Sequence, residues 1–347
     1  MRQLSREQER KVWKNRTRHN ESRKDKKFNP RSGEITVRRV LGWEQIAVPK
    51  KLDLYNEETR ELTLEFFELV EKYALERRVS LDCSEAESIS AAALLLLYAT
   101  IDTLKNNDNA KLVRFQNLKG RVKFAIEKSG LKGVTLNKEQ PVAGSQTGPM
   151  PIVRGTARGE EFEAVIDYVQ HQIFENDMTP EEENIWAAAV METVSNVKLH
   201  AYSGESEKPW WIICSVIEDD LYLAICDRGV GIPNTIKDQG WVKSIVDKTP
   251  SLIQKLLSES DSDAIDLSMM VGETSTKQHK HGLGSKSIQA LVDENPDGSL
   301  WVFSNRGVYF RENHDAELKD FSRSISGTLI QWNIKLKNNS HEDNYSS

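Results

Sequence analysis

The sequence contains little cysteine and no long apolar run, and each shortage excludes a class of protein. Its 347 residues include three cysteines, Cys83, Cys214 and Cys226, which are scattered and odd in number. That pattern argues against a disulfide scaffold or a zinc site and fits reduced thiols in a cytoplasmic protein. The longest apolar stretch, Ile89 to Ile101, is interrupted by polar residues. It is shorter than the roughly 20 residues of a membrane-spanning helix, so we expect a cytoplasmic protein with no membrane partner.

Positive charge is concentrated at the start of the chain. Residues 1–39 hold 14 Lys and Arg against 5 Asp and Glu, a balance of +9, whereas the whole chain carries −6. Residues 1–34 are therefore interpreted as a basic N-terminal arm that lacks the apolar residues for a core of its own. Two interpretations stay open. The arm is either solvated and partly disordered or docked on the protein's own acidic body; alternatively it contacts an acidic partner or nucleic acid, with phosphates neutralised by Arg and Lys and Trp13 stacking on a base.

Residues 35–140 are predicted to form a small α/β domain. Apolar residues at helical spacing predict an amphipathic helix from Glu57 to Leu75 and a mostly buried helix from Ile89 to Leu104. Short β-rich runs predict strands at Arg78 to Cys83 and Lys111 to Phe115, and another helix is expected from Leu118 to Lys128. Alternating strands and helices favour a sheet with a helical cover.

The segment from Val79 to Leu94 resembles the strand, turn and helix of STAS domains, the fold of anti-sigma-factor antagonists. In that family a serine at the start of the helix is phosphorylated, whereas Ala92 stands at the corresponding position here. Ser90 is expected to cap the helix. The resemblance implies a scaffold or pairing domain, through which a protein partner would bind, in place of a phosphorylation switch.

The rest of the chain divides into a linker, a third unit and a tail. Residues 133–158 are rich in Gly, Pro, Ser and Thr, which is typical of a linker, and residues 141–158 are interpreted as that linker. Residues 338–347 are polar and expected to be disordered. In between, residues 159–337 should contain a helix from Glu160 to Glu175 and a second that starts at Thr179-Pro180 and runs to about His200.

The second of these helices carries the first candidate motif. Glu192, Asn196 and His200 are four residues apart and therefore share one face. An Asn side chain can give one oxygen to Mg²⁺, which keeps several waters and binds phosphates. Glu192, one turn earlier, can orient or deprotonate an attacking water. His200 is expected to end the helix or to pack beneath the site.

A second motif follows a predicted strand pair, Trp210 to Ile217 and Leu221 to Cys226. The second strand would deliver Asp227 to the edge of the sheet. Gly229 and Gly231, in the sequence Asp-Arg-Gly-Val-Gly-Ile, allow a backbone to approach a ligand closely.

The third motif follows an insertion of almost fifty residues, in which apolar residues between Trp241 and Leu257 predict helices. Lys277, near its end, could contact phosphates when a lid closes. Free backbone N–H groups and a helix start then favour phosphate binding at the glycine box. The candidate residues of that box are Gly282, Leu283, Gly284, Ser285 and Lys286. Predicted strands at Leu300 to Asn305, Val308 to Arg311 and Gly327 to Ile334 complete the sheet.

The order and spacing of the three motifs resemble the ATP-binding domain of the GHKL superfamily, and Asn-x-x-x-His-Ala-Tyr at Asn196 is similar to its anti-sigma-factor kinase branch. The resemblance implies an α/β fold, the two-layer α/β sandwich called the Bergerat fold, over residues 159–337. It also implies that ATP and Mg²⁺ are the cofactors, with Mg²⁺ held at Asn196 and the adenine amino group bound by Asp227. Thr328 would support Asp227, and Ile232 would belong to the nucleotide site.

These observations favour a Mg²⁺-dependent ATPase that turns over slowly and acts as a conformational or assembly switch, with Glu192 as the catalytic residue. Two alternatives stay open. One is a serine protein kinase of the anti-sigma-factor type, and the other is a nucleotide-sensing protein that binds nucleic acid through the basic arm. A homodimer is compatible with each of them.

Overall fold

The computed structural model describes most of the chain, except for its two ends and several internal segments. The described residues are 35–131, 151–156, 159, 161–175, 177–204, 207–217, 219–236, 252–274, 284–295 and 297–336. The basic arm, the polar tail and most of the predicted linker lie outside these residues, as do Lys277, Gly282 and Leu283 of the predicted site. No helix within the described ranges is both long and apolar enough to cross a membrane.

The first half of the chain forms a four-stranded mixed sheet. Its order is β1-β2-β4-β6, with β1 antiparallel to β2 and the other neighbours parallel. The strands are β1 (Val37–Val40), β2 (Trp43–Ala47), β4 (Val79–Asp82) and β6 (Val113–Gln116). A separate parallel pair joins β3 (Lys51–Leu52) to β5 (Ser88–Ile89). The predicted strands correspond to β4 and β6, whereas the β1–β2 hairpin was not expected.

The three helices of this half agree with the sequence predictions to within about two residues. They are α1 (Glu57–Glu76), α2 (Ala91–Lys105) and α3 (Gly120–Lys128). Ser90 caps α2, as predicted, because its side chain accepts a hydrogen bond from the backbone N–H of Ala93. Residues 92–102 of α2 are all buried. A helix that is apolar on every side must lie between two layers.

The second half forms a seven-stranded, fully antiparallel sheet in the order β12-β11-β10-β13-β9-β8-β7. Its five long predicted strands are present, and β7 and β12 are additions that the sequence did not indicate. The strands are β7 (Val153–Gly155), β8 (Trp210–Ile217), β9 (Asp220–Asp227), β10 (Ser299–Ser304), β11 (Gly307–Glu312), β12 (Asp315–Asp320) and β13 (Thr328–Lys335).

The helices of the second half flank this sheet. They are α4 (Glu163–Tyr168), α5 (Pro180–Asn196), α6 (Ile232–Ile236), α7 (Ile253–Leu257), α8 (Asp261–Thr274) and α9 (Gly284–Asp293). Thr179 and Glu182 form the capping box that starts α5. Both α4 and α5 continue as π-helical turns, at Val169–Ile173 and Val197–Ala201. With these turns included, the second helix ends close to His200, as predicted, and the first is shorter than the predicted range Glu160 to Glu175.

The seven-stranded sheet is covered on both faces, and strand alternation divides its side chains between two hydrophobic cores. On the front face, Ile212 and Ile225 pack with α4, α5, α8 and α9. On the back face, Trp211 and Cys226 pack in one core with α1, α2 and the four-stranded sheet. The molecule therefore stacks as sheet, helices, sheet, helices. The two halves of the chain share a core.

Polar contacts accompany this shared core. The indole N–H of Trp211 donates to Asp102 Oδ2 at 3.0 Å, and the Tyr55 hydroxyl donates to Gln331 at 2.7 Å. Arg323 forms ion pairs with three glutamates on successive turns of α1: Glu61, Glu65 and Glu68. These contacts hold the N-terminal helices in one register on the sheet.

Candidate functional site

A cavity of about 150 Å³ lies on the front face of the seven-stranded sheet, between α5, α6, α8 and α9. Most of its wall is aliphatic or thioether surface. The apolar lining residues are Val197, Ala201, Ile225, Ile232, Ile236, Met269, Ile288 and Ile330. The polar lining residues are Glu192, Thr193, Asn196, His200, Asp227, Thr235, Ser268, Ser285 and Thr328. An apolar concavity with a few converging polar groups is typical of a small-molecule site.

Asp227 is the buried carboxylate of this cavity, with 5% of its surface exposed. It ends β9, and the strand register places it opposite Thr328. Its Oδ1 accepts the backbone N–H of Gly229 at 2.7 Å. Burial raises the pKa of Asp227 to about 6, against the lowering effects of backbone hydrogen bonds from Gly229 and Thr328 and of the Arg228 charge. A desolvated carboxylate of this kind gains from any further hydrogen-bond donor.

A pair of hydroxyls supports the turn that follows Asp227. Ser304 and Thr328 lie opposite each other on β10 and β13, and their hydroxyl oxygens are 2.9 Å apart. The backbone N–H of Ile232 donates to Ser304 Oγ at 2.9 Å. Sequence reasoning identified Thr328 but missed Ser304. A serine next to the last residue of a predicted strand was the available signal.

The glycines of this turn are required by protein neighbours. A Cβ on Gly229 would collide with the carbonyl of Ala201, the last residue of the π-helical turn. Gly231 has a φ of +82°, and a Cβ there would lie 2.7 Å from the side chain of Asn305. Gly231 lines the cavity, whereas Gly229 is not among its lining residues. Close packing on Ala201 accounts for Gly229, and the positive φ together with the neighbouring Asn305 side chain accounts for Gly231, so neither glycine requires a ligand.

Glu192, Asn196 and His200 all line the cavity, so the predicted shared face is real. Asn196 lies one turn from Glu192 on the cavity wall, and its amide nitrogen can donate to the Glu192 carboxylate while its amide oxygen faces a cation. Burial raises the pKa of Glu192, and the Asn196 amide opposes that shift.

The described residues contain no group of three or more His, Cys, Asp or Glu that could hold a metal ion. The oxygen atoms of Asn196 and Glu192 are therefore too few for a closed protein site. Such a donor set fits Mg²⁺, which keeps several waters and shares its remaining positions with phosphate oxygens.

The glycine box is only partly described. Ser285 lines the cavity, and its hydroxyl donates to the carbonyl of Met269 at 3.0 Å. Gly284 begins α9, and the half-buried Lys286 is not among the described lining residues. Ser268 and Met269 of α8 were not predicted as part of the site. The signal for them was the apolar spacing of Ile265 and Met269, which marks a buried helix face inside the insertion.

No protein-family model matches the sequence, and no curated protein is significantly similar to it. The chemistry of the site therefore has to be inferred from its own residues and their geometry.

Proposed function

We propose that the front cavity binds ATP and that the protein is a slow, Mg²⁺-dependent ATPase that works as a nucleotide-driven conformational switch. Residues 159–337 would form a GHKL-type ATP-binding domain, the Bergerat fold, of the anti-sigma-factor kinase-like branch. Residues 35–140 would form a STAS-like domain. The observation that carries the proposal is the meeting of Glu192, Asn196, Asp227 and Ser285, from three separate motifs, around one cavity.

The cavity suits a flat heteroaromatic base. Aliphatic side chains from β9, β13, α6 and α9 line it, and a single buried carboxylate, Asp227, lies among them. An exocyclic amino group would give this desolvated carboxylate a hydrogen-bond donor, and hydrogen bonds to charged groups are the stronger kind. The Ser304–Thr328 hydroxyl pair would keep the turn and the carboxylate in place.

The polar edge of the cavity suits the phosphate end of the nucleotide. Asn196 would present its amide oxygen to Mg²⁺, and the bound ion would offset the negative charge of the phosphates. Glu192 would orient the attacking water and accept its proton. Burial favours this role, since it raises the pKa of the Glu192 carboxyl and makes the carboxylate a better base. Ala92 is buried, which agrees with an N-terminal domain that is not a phosphate acceptor.

The test compares two aspartates at opposite ends of β9. Asp227→Asn removes the buried charge and should weaken ATP binding by about 10- to 150-fold, the usual value of a charged hydrogen bond. Asp220→Asn, at the far end of the strand, should leave binding unchanged, because Asp220 pairs with the half-exposed Lys335 and is not among the described lining residues of the cavity. Titration with a fluorescent ATP analogue, with and without Mg²⁺, measures both.

The proposal fails if the wild-type protein shows no Mg²⁺-dependent binding or if Asp227→Asn binds as the wild type does. Labelled ATP separates the two possible reactions. Free phosphate is the expected product, whereas label transferred to protein would indicate a kinase.

A further inference from the structure

Arg228 follows the cavity carboxylate in sequence but projects to the opposite face of the sheet. Its guanidinium donates to Thr100 Oγ1 of α2 at 2.8 Å and forms an ion pair with Glu71 of α1. Its side chain is 15% exposed, and Thr100 is fully buried. The planar guanidinium of Arg228, the residue next to Asp227, therefore contacts both α1 and α2.

The main chain at this point is held from the front as well. The backbone N–H of Arg228 donates to the Tyr202 hydroxyl at 2.9 Å, and that hydroxyl donates to the carbonyl of Pro209 at 2.8 Å. The next peptide, at Gly229, donates to the Asp227 carboxylate. The orientation of that carboxylate therefore depends on a backbone segment whose position Arg228 and Tyr202 set together.

The other ion pairs between α1 and the sheet lie at a different place. Lys319, on the edge strand β12, pairs with Glu57, and Arg323 pairs with Glu61, Glu65 and Glu68. These contacts hold the same helix, and neither Lys319 nor Arg323 lines the cavity. Arg323 thus provides an internal reference: an arginine in the same interface that does not adjoin the cavity carboxylate.

We propose that Arg228 is a positioning residue that couples occupancy of the front cavity to the docking of α1 and α2 on the back of the sheet. The proposal rests on nucleotide binding at Asp227 as set out above. When Arg228 is bound to Thr100 and Glu71, the Asp227 carboxylate is already oriented for a hydrogen-bond donor of the ligand. When Arg228 is replaced, the turn after Asp227 becomes less ordered, and part of the binding free energy is lost in ordering it again. Linkage then requires that a bound nucleotide tighten the docking of α1 and α2 by the same factor.

The experiment compares Arg228→Met with Arg323→Met, which removes an equivalent guanidinium from the same interface. Affinity for a non-hydrolysable ATP analogue with Mg²⁺ is measured by calorimetry, and stability by urea unfolding. Arg228→Met should weaken binding by roughly 5- to 150-fold, the usual range of coupling between two sites. Arg323→Met should change affinity by less than about twofold on the same scale, although it also loses interface contacts. Arg228→Lys keeps the charge but loses the planar guanidinium whose two nitrogens separately bind Thr100 and Glu71, so its affinity should fall between those of wild type and Arg228→Met.

A second measurement reports on the helices directly. Hydrogen exchange of the α1 and α2 amides should slow when the wild-type protein binds the nucleotide analogue, and should not change in Arg228→Met. If Arg228→Met does not fold, Thr100→Val removes one acceptor and keeps the side-chain shape. That variant should bind the analogue several-fold more weakly than wild type, within the range expected for a lost hydrogen bond to a charged group.

The outcomes separate the two proposals. A wild-type protein that binds no nucleotide overturns both. A wild-type protein that binds, with equal affinities for Arg228→Met and Arg323→Met, overturns only the coupling. If both variants fold and bind but α1 exchange is insensitive to the analogue in the wild type, the coupling is also overturned.

Discussion

The two faces of the seven-stranded sheet are built from the same strands but differ in how closely they are packed. On the front face lies a cavity that contains Asp227. Its carboxylate is buried and accepts a hydrogen bond from the backbone N–H of Gly229. The back face is closed by α1 and α2, and its rim charges are paired, as at Arg323 and Lys319. Because successive side chains of a strand point to opposite faces, the same strands line a cavity on one side and a closely packed helical layer on the other.

If the front cavity binds ATP, substitutions of most cavity residues should alter activity more than stability, and substitutions of most back-face residues should do the reverse, with Arg228 and Asp227 as the expected exceptions. Glu192→Gln gives the largest expected effect on the front. If Glu192 accepts the proton of the attacking water, ATP turnover should fall by about 10²- to 10⁴-fold, with little change in unfolding free energy because the side chain is only half-buried. Steady-state phosphate release measures the loss, and Glu181→Gln, at the exposed start of α5, is the control. Undiminished turnover in Glu192→Gln would remove Glu192 from the reaction.

The strongest effect on stability should come from the back face. Phe303 is fully buried beside Tyr55, Trp301 and the guanidinium of Arg60. Phe303→Ala should lower the free energy of unfolding by about 3–5 kcal/mol, because the cavity that it leaves adds to the lost burial. Phe124→Ala, at a side chain that is 59% exposed on α3, should cost less than about 1 kcal/mol. Equal losses in urea unfolding would contradict this description of the back face.

Asp227 should make the front face a source of instability, in a pH-dependent way. Its folded pKa is about 6, raised above the 3.8 of an unperturbed aspartate. Between those values the folded state binds more protons than the unfolded state, so stability falls as pH rises from about 4 to 6 and then levels off. Asp227→Asn removes this effect and should be more stable than wild type at pH 7.5, by about 1–3 kcal/mol.

Urea unfolding of both proteins at pH 5.0 and 7.5 measures this difference. The advantage of Asp227→Asn should be smaller at pH 5.0. An advantage that does not depend on pH would show that the Asp227 carboxyl titrates normally in the folded protein.

The smallest expected change in stability concerns Arg60, a buried cation on the back face. Arg60 is fully buried, and none of its guanidinium nitrogens has a hydrogen-bond partner among the described residues. Its guanidinium lies 3.8 Å from the centre of the Phe321 ring, and burial lowers the pKa of Arg60 to about 10. Arg60→Met keeps the shape and the ring contact but removes the buried charge, and should raise stability by about 1 kcal/mol.

Arg77→Met is the matched control for Arg60→Met. Arg77 lies just past the end of α1, its side chain is 44% exposed, and it forms an ion pair with Glu44. It should lower stability by less than about 1 kcal/mol. A clear loss of stability in Arg60→Met would mean that the cation–ring contacts outweigh the desolvation of the guanidinium.

Local signals predicted the elements well. Ser90 and the Thr179–Glu182 capping box mark the starts of α2 and α5 in the sequence itself, because a cap depends on residues within one turn. The strand that delivers Asp227 was equally clear. Ser268, Met269 and Ser304 were missed, since their places beside the cavity depend on contacts with residues distant in sequence.

The shared core was the main feature that the sequence did not show. The apolar sequence of α2 predicted that the helix is buried, but the spacing of apolar residues does not identify which other elements pack against it. Only the structure shows that Trp211 and Cys226 of the second half complete that cover. Arg228 was hidden for the same reason, because its partners Glu71 and Thr100 lie more than a hundred residues away in the chain.

The shared core also limits how this chain can be cut. A fragment that starts at residue 151 would keep every described residue of the front cavity. It would, however, expose Trp211, Phe303 and Leu329 to solvent, although all three are nearly inaccessible in the full chain. A contiguous apolar sheet face of that kind promotes aggregation. We therefore expect the second half to be insoluble when expressed alone, and to become soluble when the first half is supplied as a separate polypeptide.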